Sequence, residues 1–169
     1  MKNINLNSDI GEGFGVYDIG NDTDMLKIVN SANIACGFHA GDPNVMDRVV
    51  KQSIKNGVSI GAHPGFNDLW GFGRRQIHMS ADEIEASVAY QIGALQAISA
   101  TNNAIVTHVK PHGALNNMSS LDPDIAAAIA KGVNLVDPKL ILVAVSGSFL
   151  FSAGQALGLT VAAEAYADP

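Results

Sequence analysis

An α/β fold of parallel strands and crossover helices is predicted by three observations. Short β-prone runs alternate with longer stretches of helical spacing six times along 169 residues. The runs are apolar on one side and polar or small on the other. Carboxylate, imidazole and ammonium side chains gather where the runs end, and in (β/α) barrels the carboxyl ends of the strands form the rim on which active sites are built.

Strands are predicted over residues 3–8, 33–38, 58–62, 104–109, 140–145 and 159–164, and helices over 22–31, 43–56, 81–101, 122–132 and 148–157. The third helix has the clearest start: Ser80 followed by Glu83 makes a capping box ahead of Ile84, Val88, Ile92 and Leu95. Gly57 and Gly158 stand where helices should end, being able to take the left-handed conformation cheaply. In the first strand Ile4 and Leu6 oppose Asn5, Asn7 and Asp9. In the second, Ile34, Cys36 and Phe38 oppose Asn33, Ala35, Gly37 and His39, and in the third Val58, Ile60 and Ala62 oppose Ser59, Gly61 and His63. The fourth sets Ile105, Thr107 and Val109 against Val106, His108 and Lys110; the sixth sets Val161 and Ala163 against Thr160, Ala162 and Glu164. A doubly wound open sheet needs apolar residues on both faces. One-sided strands instead predict a curved sheet whose outer face meets helices and whose inner face surrounds a polar centre. No linker, repeat or low-complexity segment interrupts the pattern, so one domain over residues 1–169 is expected.

Composition narrows the function classes. Apolar residues make up 47% and charged residues 15%, enough for a packed core. A formal charge of -6 without a Lys/Arg cluster argues against nucleic acid or an anionic membrane as partner. No apolar run is long enough to cross a bilayer, and the start, Met1-Lys2-Asn3-Ile4, is not a signal peptide, so a cytoplasmic location is expected. The single cysteine, Cys36, excludes an internal disulfide and any multi-cysteine zinc site.

Asp9, His39, His63, Lys110 with His112, and Glu164 all fall at strand ends on the inward phase. Taken one at a time, each is as well explained as a helix cap or a satisfied structural residue. Together they predict a pocket, because burying unpaired polar groups costs about 1–3 kcal/mol each. Asp9, His39 and His63 have the composition of a two-His-one-carboxylate metal site. The same residues fit a metal-free acid/base cluster in which Asp9 orients an imidazole; spacing leaves both open, and the metal-free reading is favoured. Gly11-Glu12-Gly13-Phe14-Gly15 is not G-x-G-x-x-G and no Walker loop occurs, so a self-contained nucleotide site is not expected. These glycines suit a tight rim loop passing close to a ligand. In the second rim loop, 64–75, the Arg74-Arg75 pair either clamps a substrate carboxylate or pairs with surface acids. Lys110 either neutralises charge developing in the pocket or is an inward ion-pair partner of Asp9 or Glu164.

Four runs then carry a resemblance: Leu6 to Gly13 (LNSDIGEG), Ser31 to Asp42 (SANIACGFHAGD), Gly61 to Pro64 (GAHP) and His108 to Leu115 (HVKPHGAL). They resemble the LamB/YcsF family, whose characterised members are the A component of the bacterial ATP-dependent 5-oxoprolinase. The resemblance extends over essentially the whole chain, through Phe72-Gly73-Arg74 and Glu164-Ala165-Tyr166-Ala167-Asp168, with Pro169 where an Arg commonly follows. It implies an irregular (β/α) barrel of the deacetylase-like kind, here incomplete, with about six βα units of a longer family domain. It also implies hydrolysis of 5-oxoproline to L-glutamate, with ATP as co-substrate, in company with B and C subunits. On this reading Asp9, His39, His63, Lys110 and His112 are catalytic, and Asn7, Glu12, Asn33, Arg74 and Glu164 bind substrate. An unclosed sheet leaves an edge and an inner face free, which favours homo-oligomers. Two other readings use the same residues: a stand-alone metal-dependent deacetylase or amidohydrolase, and a non-catalytic ligand-binding or scaffolding subunit.

Overall fold

The computed structural model describes residues 4–166. Residues 1–3 and 167–169, which include Asn3 of the first predicted strand and the Ala167-Asp168 pair, lie outside the described residues. Six strands form one parallel sheet in the order β1 (Asn7–Ile10), β2 (Ser31–Ala35), β3 (Ser59–His63), β4 (Val106–Val109), β5 (Ile141–Val145) and β6 (Val161–Glu164). Six helices lie among them: α1 (Asp22–Met25), α2 (Pro43–Asn56), α3 (Ala81–Thr101), α4 (Gly113–Leu121), α5 (Pro123–Val136) and α6 (Phe149–Ala156). The sheet curls into a half-barrel. Its curvature is visible in the side chains of the two edge strands, since Asn7 Nδ2 on β1 donates to Glu164 Oε1 on β6 at 3.1 Å.

The outer face is the apolar one. Ile34, Ile60, Ala62, Val109, Leu142 and Ala144 pack against helix residues including Val49, Val88, Ile92, Leu95, Ile129 and Leu150 in one buried cluster. Burial of such side chains contributes about 1.5–3 kcal/mol each. Local signals place the helices. At α2 the Asp42 carboxylate accepts from the amides of Asn44 and Val45, Pro43 occupies the first turn, and Gly57 closes the end with φ of 68°. At α3 the capping box of Ser80 and Glu83 is formed in both directions.

Four expectations shift. The first strand begins at Asn7, leaving Ile4 84% and Leu6 52% exposed, because the Leu6 carbonyl is taken by the amides of Asn30 and Ser31 and strand pairing starts one residue later. That same contact ends the first helix early, since the chain must rejoin the sheet by Asn30. In the fourth strand the register slips: Ile60 pairs with Val106 but Gly61 with His108. Thr107 is the extra residue of a bulge, so Val106 joins the core and Thr107 lines the inner hollow, the reverse of simple alternation. The helix read over 122–132 is α5, and α4 precedes it unannounced, because its Asn, Ser and Gly content has weak helix propensity. It is started instead by tertiary contact, with Ala114 N–H on the Gly73 carbonyl.

Among the described residues no helix is long and apolar enough to cross a membrane. The α3–α5 contact supplies a first test. A Cβ on Gly132 would stand 2.8 Å from the Glu85 carbonyl oxygen and 3.2 Å from Val88. Helix propensity alone favours Gly132→Ala by about 1 kcal/mol, yet overpacking costs about 1–3 kcal/mol. Urea unfolding of the Gly132→Ala protein is expected to show a lower midpoint than the parent.

Candidate functional site

The predicted rim residues meet at the carboxyl ends of the strands. Asp9 stands near the end of β1, His63 at the end of β3, Lys110 just beyond β4 and Glu164 at the end of β6. The Lys110 ammonium, with its side chain 7% exposed, lies 2.8 Å from Glu164 Oε1, 3.3 Å from Asp9 Oδ1 and 3.2 Å from Asn7 Oδ1. Asn33 Nδ2 donates to Asn7 Oδ1 at 2.7 Å and to Asp9 Oδ1 at 3.0 Å, while Asn33 Oδ1 faces His108 Nε2 at 3.1 Å. Tyr166 donates its hydroxyl to Glu164 Oε2 at 3.0 Å. Asn7 and Glu164 thus contact the Lys110 ammonium, and Asn33 the Asp9 carboxylate.

Beside this polar hub sits a histidine cluster. His63 Nε2 is 3.3 Å from Asp9 Oδ2 and 3.0 Å from His112 Nδ1. The His39 ring stacks on that of His112 with centroids 3.6 Å apart, and its Nε2 is 3.0 Å from Glu12 Oε1. Glu12 arrives on the Gly11–Gly15 loop, which turns back through paired amides and carbonyls of Phe14 and Tyr17. Gly13 is needed there, as a Cβ would stand 2.8 Å from the Tyr17 carbonyl. In the second rim loop the two arginines divide the alternatives. Arg75 is tied to the Asp68 carboxylate. Arg74 has no carboxylate partner among the described residues and packs over the Phe72 ring, lining a hollow of about 330 Å³ with Asp9, His63, Lys110, His112 and Tyr166.

The two halves of the site differ in charge. Burial pulls the Asp9 carboxyl upward, but His63, Lys110 and Asn33 outweigh it and hold Asp9 far below the usual range, so it is ionised at neutral pH. Burial disfavours the Lys110 charge, and the carboxylates of Asp9 and Glu164 reverse the effect and raise it. Burial, with the neighbouring His63, pushes His39 down to about 3; burial, then His39 and His63, pushes His112 down to about 4. Burial also raises Glu12 above its ordinary value. The Cys36 thiol, pushed to about 12 by burial and bonded to the Ile34 carbonyl, is no nucleophile.

Several contributors were not singled out by sequence. Gln91, on the buried stripe of α3, exchanges hydrogen bonds with both backbone groups of Gly65, at 2.9 and 3.0 Å, and so presses that loop onto His39. A polar residue within an apolar helical stripe is its only sequence signal. Gly61, Gly65 and Gly73 make room for the rings: an added Cβ would overlap His108 at the first, lie 2.7 Å from His39 Nδ1 at the second and 2.6 Å from the His39 Cβ at the third. The Phe72 carbonyl, exposed to the cluster by a positive φ of 53°, sits 2.8 Å from His112 Nε2.

A family model described as LamB/YcsF family matches residues 4–169. The chain belongs to the LamB/YcsF family. It is 55% identical over 168 residues to a protein of Natranaerobius thermophilus named as a 5-oxoprolinase A-subunit, covering 99% of this chain and 65% of that protein. A Staphylococcus carnosus protein of the same name is 56% identical over 165 residues, covering 98% and 66%. The crystal structure of a lactam utilization protein from Thermus thermophilus superposes with a TM-score of 0.95 at 43% identity, covering 97% of this chain and 66% of that one. The LamB/YcsF chain thus spans about two thirds of the length of these relatives.

In this LamB/YcsF site His108 gives a pH test. Burial first, then the positive charges nearby, lowers it to about 4 from 6.5. The unfolded chain takes up its proton near 6.5 while the folded chain stays neutral, so this contribution is present above 6.5 and lost as pH falls toward 4. The loss is on the order of 3 kcal/mol. Denaturation followed from pH 7 to 4 should show a shallower decline in stability for His108→Gln than for the parent.

Proposed function

We propose that this chain carries the hydrolytic centre of a 5-oxoprolinase A-subunit, opening the lactam of 5-oxoproline to L-glutamate with ATP hydrolysis in company with B and C subunits. The observation that carries the reading is the hollow in which an ionised Asp9, buried imidazoles, the Lys110 ammonium and the unpaired Arg74 meet. The name borne by relatives at 55–56% identity supports the same reading.

A lactam is a weak electrophile. Transfer of the γ-phosphoryl group of ATP to the lactam oxygen releases ADP and makes the ring carbon attackable by water. Water adds, the carbon–nitrogen bond breaks as nitrogen takes a proton, and a second water frees inorganic phosphate, leaving glutamate. Phosphoryl transfer is assigned to the complex as a whole, since the chain has no phosphate-cradling loop of its own. Here the ionised Asp9 carboxylate, which lines the hollow, receives the proton of the attacking water. His63, its ring held by the Lys110 carbonyl and its Nε2 3.3 Å from Asp9 Oδ2, positions that carboxylate. The Lys110 ammonium steadies the charge growing on oxygen or phosphate, and Arg74 holds the substrate carboxylate through a two-pronged contact.

Two measurements on the full-length protein, reconstituted with its B and C partners, check these roles. Asp9→Asn should lower kcat for ATP-dependent glutamate release by about 100-fold or more, on the order of 3 kcal/mol of transition-state stabilisation; turnover within about threefold of the parent removes Asp9 from the chemistry. Arg74→Lys should raise the KM for 5-oxoproline by about tenfold, with kcat nearly unchanged, the signature of a lost uniform binding contact.

A further inference from the structure

The proton positions in the histidine cluster are set from outside it. A carbonyl oxygen only accepts, and the Lys110 carbonyl lies 2.6 Å from His63 Nδ1. A neutral His63 therefore carries its proton on Nδ1 and a lone pair on Nε2. The Phe72 carbonyl, 2.8 Å from His112 Nε2, likewise puts that ring's proton on Nε2 and its lone pair on Nδ1. These two lone pairs face one another at 3.0 Å. Asp9 Oδ2 stands 3.3 Å from the first and Glu12 Oε1 3.5 Å from the second. Four acceptors turned toward one space repel unless a cation lies among them.

We propose that His63 Nε2, His112 Nδ1 and the Glu12 carboxylate, with Asp9 at the margin, hold a divalent transition-metal ion of the zinc type. A tetrahedral ion with bonds of about 2.0–2.1 Å spaces its ligand atoms about 3.3 Å apart, which matches the consecutive separations of 3.3, 3.0 and 3.5 Å from Asp9 through His63 and His112 to Glu12. Both rings also anchor their other nitrogen on a backbone carbonyl, the arrangement that orients metal-binding imidazoles. His39 belongs to the same cluster, whose donor atoms lie within 4.8 Å of one another, but it differs in this respect. Its Nδ1 is buried without a partner, against Gly65. Its proton belongs on Nε2, donated to Glu12. His39 is thus a positioning residue that aims the carboxylate, and the ligand set is not the Asp9, His39 and His63 group that strand order suggests. The assignment is independent of lactam hydrolysis, because it rests on donor atoms alone.

The test is metal binding by the purified, chelator-stripped full chain, with Zn²⁺ and then Co²⁺ as probes. One equivalent of Zn²⁺ should be retained through gel filtration, and Co²⁺ should give the visible absorption of a low-coordinate site. His63→Ala and His112→Ala should each weaken binding by about a thousandfold or more, whereas His39→Gln should weaken it by about 10–100-fold, as outer partners do. Because a variant can misfold, histidine ¹⁵N spectra of the unaltered protein give a second readout. Zn²⁺ should shift His63 Nε2 and His112 Nδ1, with the protons staying on His63 Nδ1 and His112 Nε2. The proposal is overturned by the absence of stoichiometric binding, by undiminished binding in folded His112→Ala, or by a His63 ring that stays protonated on both nitrogens in excess Zn²⁺. The last result would mean that a shared proton fills the space. None of these outcomes depends on turnover, so each stands apart from success or failure of the 5-oxoprolinase assay.

Discussion

The buried ammonium of Lys110 is the constraint on which the site depends. A lone positive charge in this position would be costly, since an ion taken out of water loses several kcal/mol of solvation. Asp9 on β1 and Glu164 on β6 supply the compensating charges, at 3.3 and 2.8 Å, although the two strands sit at opposite ends of the sheet order. The sheet must curl to bring them together. Asn7 and Asn33 fill the remaining donor and acceptor positions, and every polar group of the hub has a partner. A polar centre satisfied in this way is what lets the strands carry polar or small side chains on the inner face, where Ile141 and Val143 of β5 are the larger apolar exceptions.

The same residue also governs the imidazoles. The main chain of Lys110 fixes the tautomer of His63 while its side chain fixes Asp9 on the other flank of that ring. Room for the rings comes from the absence of side chains at Gly61, Gly65 and Gly73, and the loop bearing Gly65 is held by Gln91 from the helix layer. Geometry at the rim is thereby tied to packing behind the sheet. Gln91 occupies a position where an apolar residue would stabilise the α3 stripe, and its two bonds to Gly65 account for its presence.

Much of this was legible in the sequence, because period-two alternation and strand-end position are properties of the chain itself. Asp9, His39, His63, Lys110, His112 and Glu164 are brought to one rim, and the capping residues Asp42, Ser80 and Gly57 stand where the helices start and stop. What could not be read depends on contacts between distant segments. The bulge at Thr107 reverses the facing of two residues and is visible only as a register slip against β3. Helix α4 is started by the carbonyl of Gly73, on the rim loop that follows β3, against its own weak propensity. Arg74 and Arg75 are adjacent and chemically alike, so only the placement of Asp68 decides which of them remains free.

The site is divided along the line between Asp9 and His63. On one side the groups are fixed in charge: Lys110 is held protonated by Asp9 and Glu164, and Asp9 is held ionised by His63 and Lys110. On the other, burial keeps His39 and His112 neutral at physiological pH, and the hydrogen bonds to the Lys110 and Phe72 carbonyls dictate where the lone pairs of His63 and His112 point. A fixed field next to the uncharged His39 and His112 is an arrangement that can accept a positive charge without reorganising, since the ionised carboxylate of Asp9 is already in place, 3.3 Å from His63 Nε2. The buried hub in turn supplies the low-dielectric surroundings that keep His39 and His112 neutral.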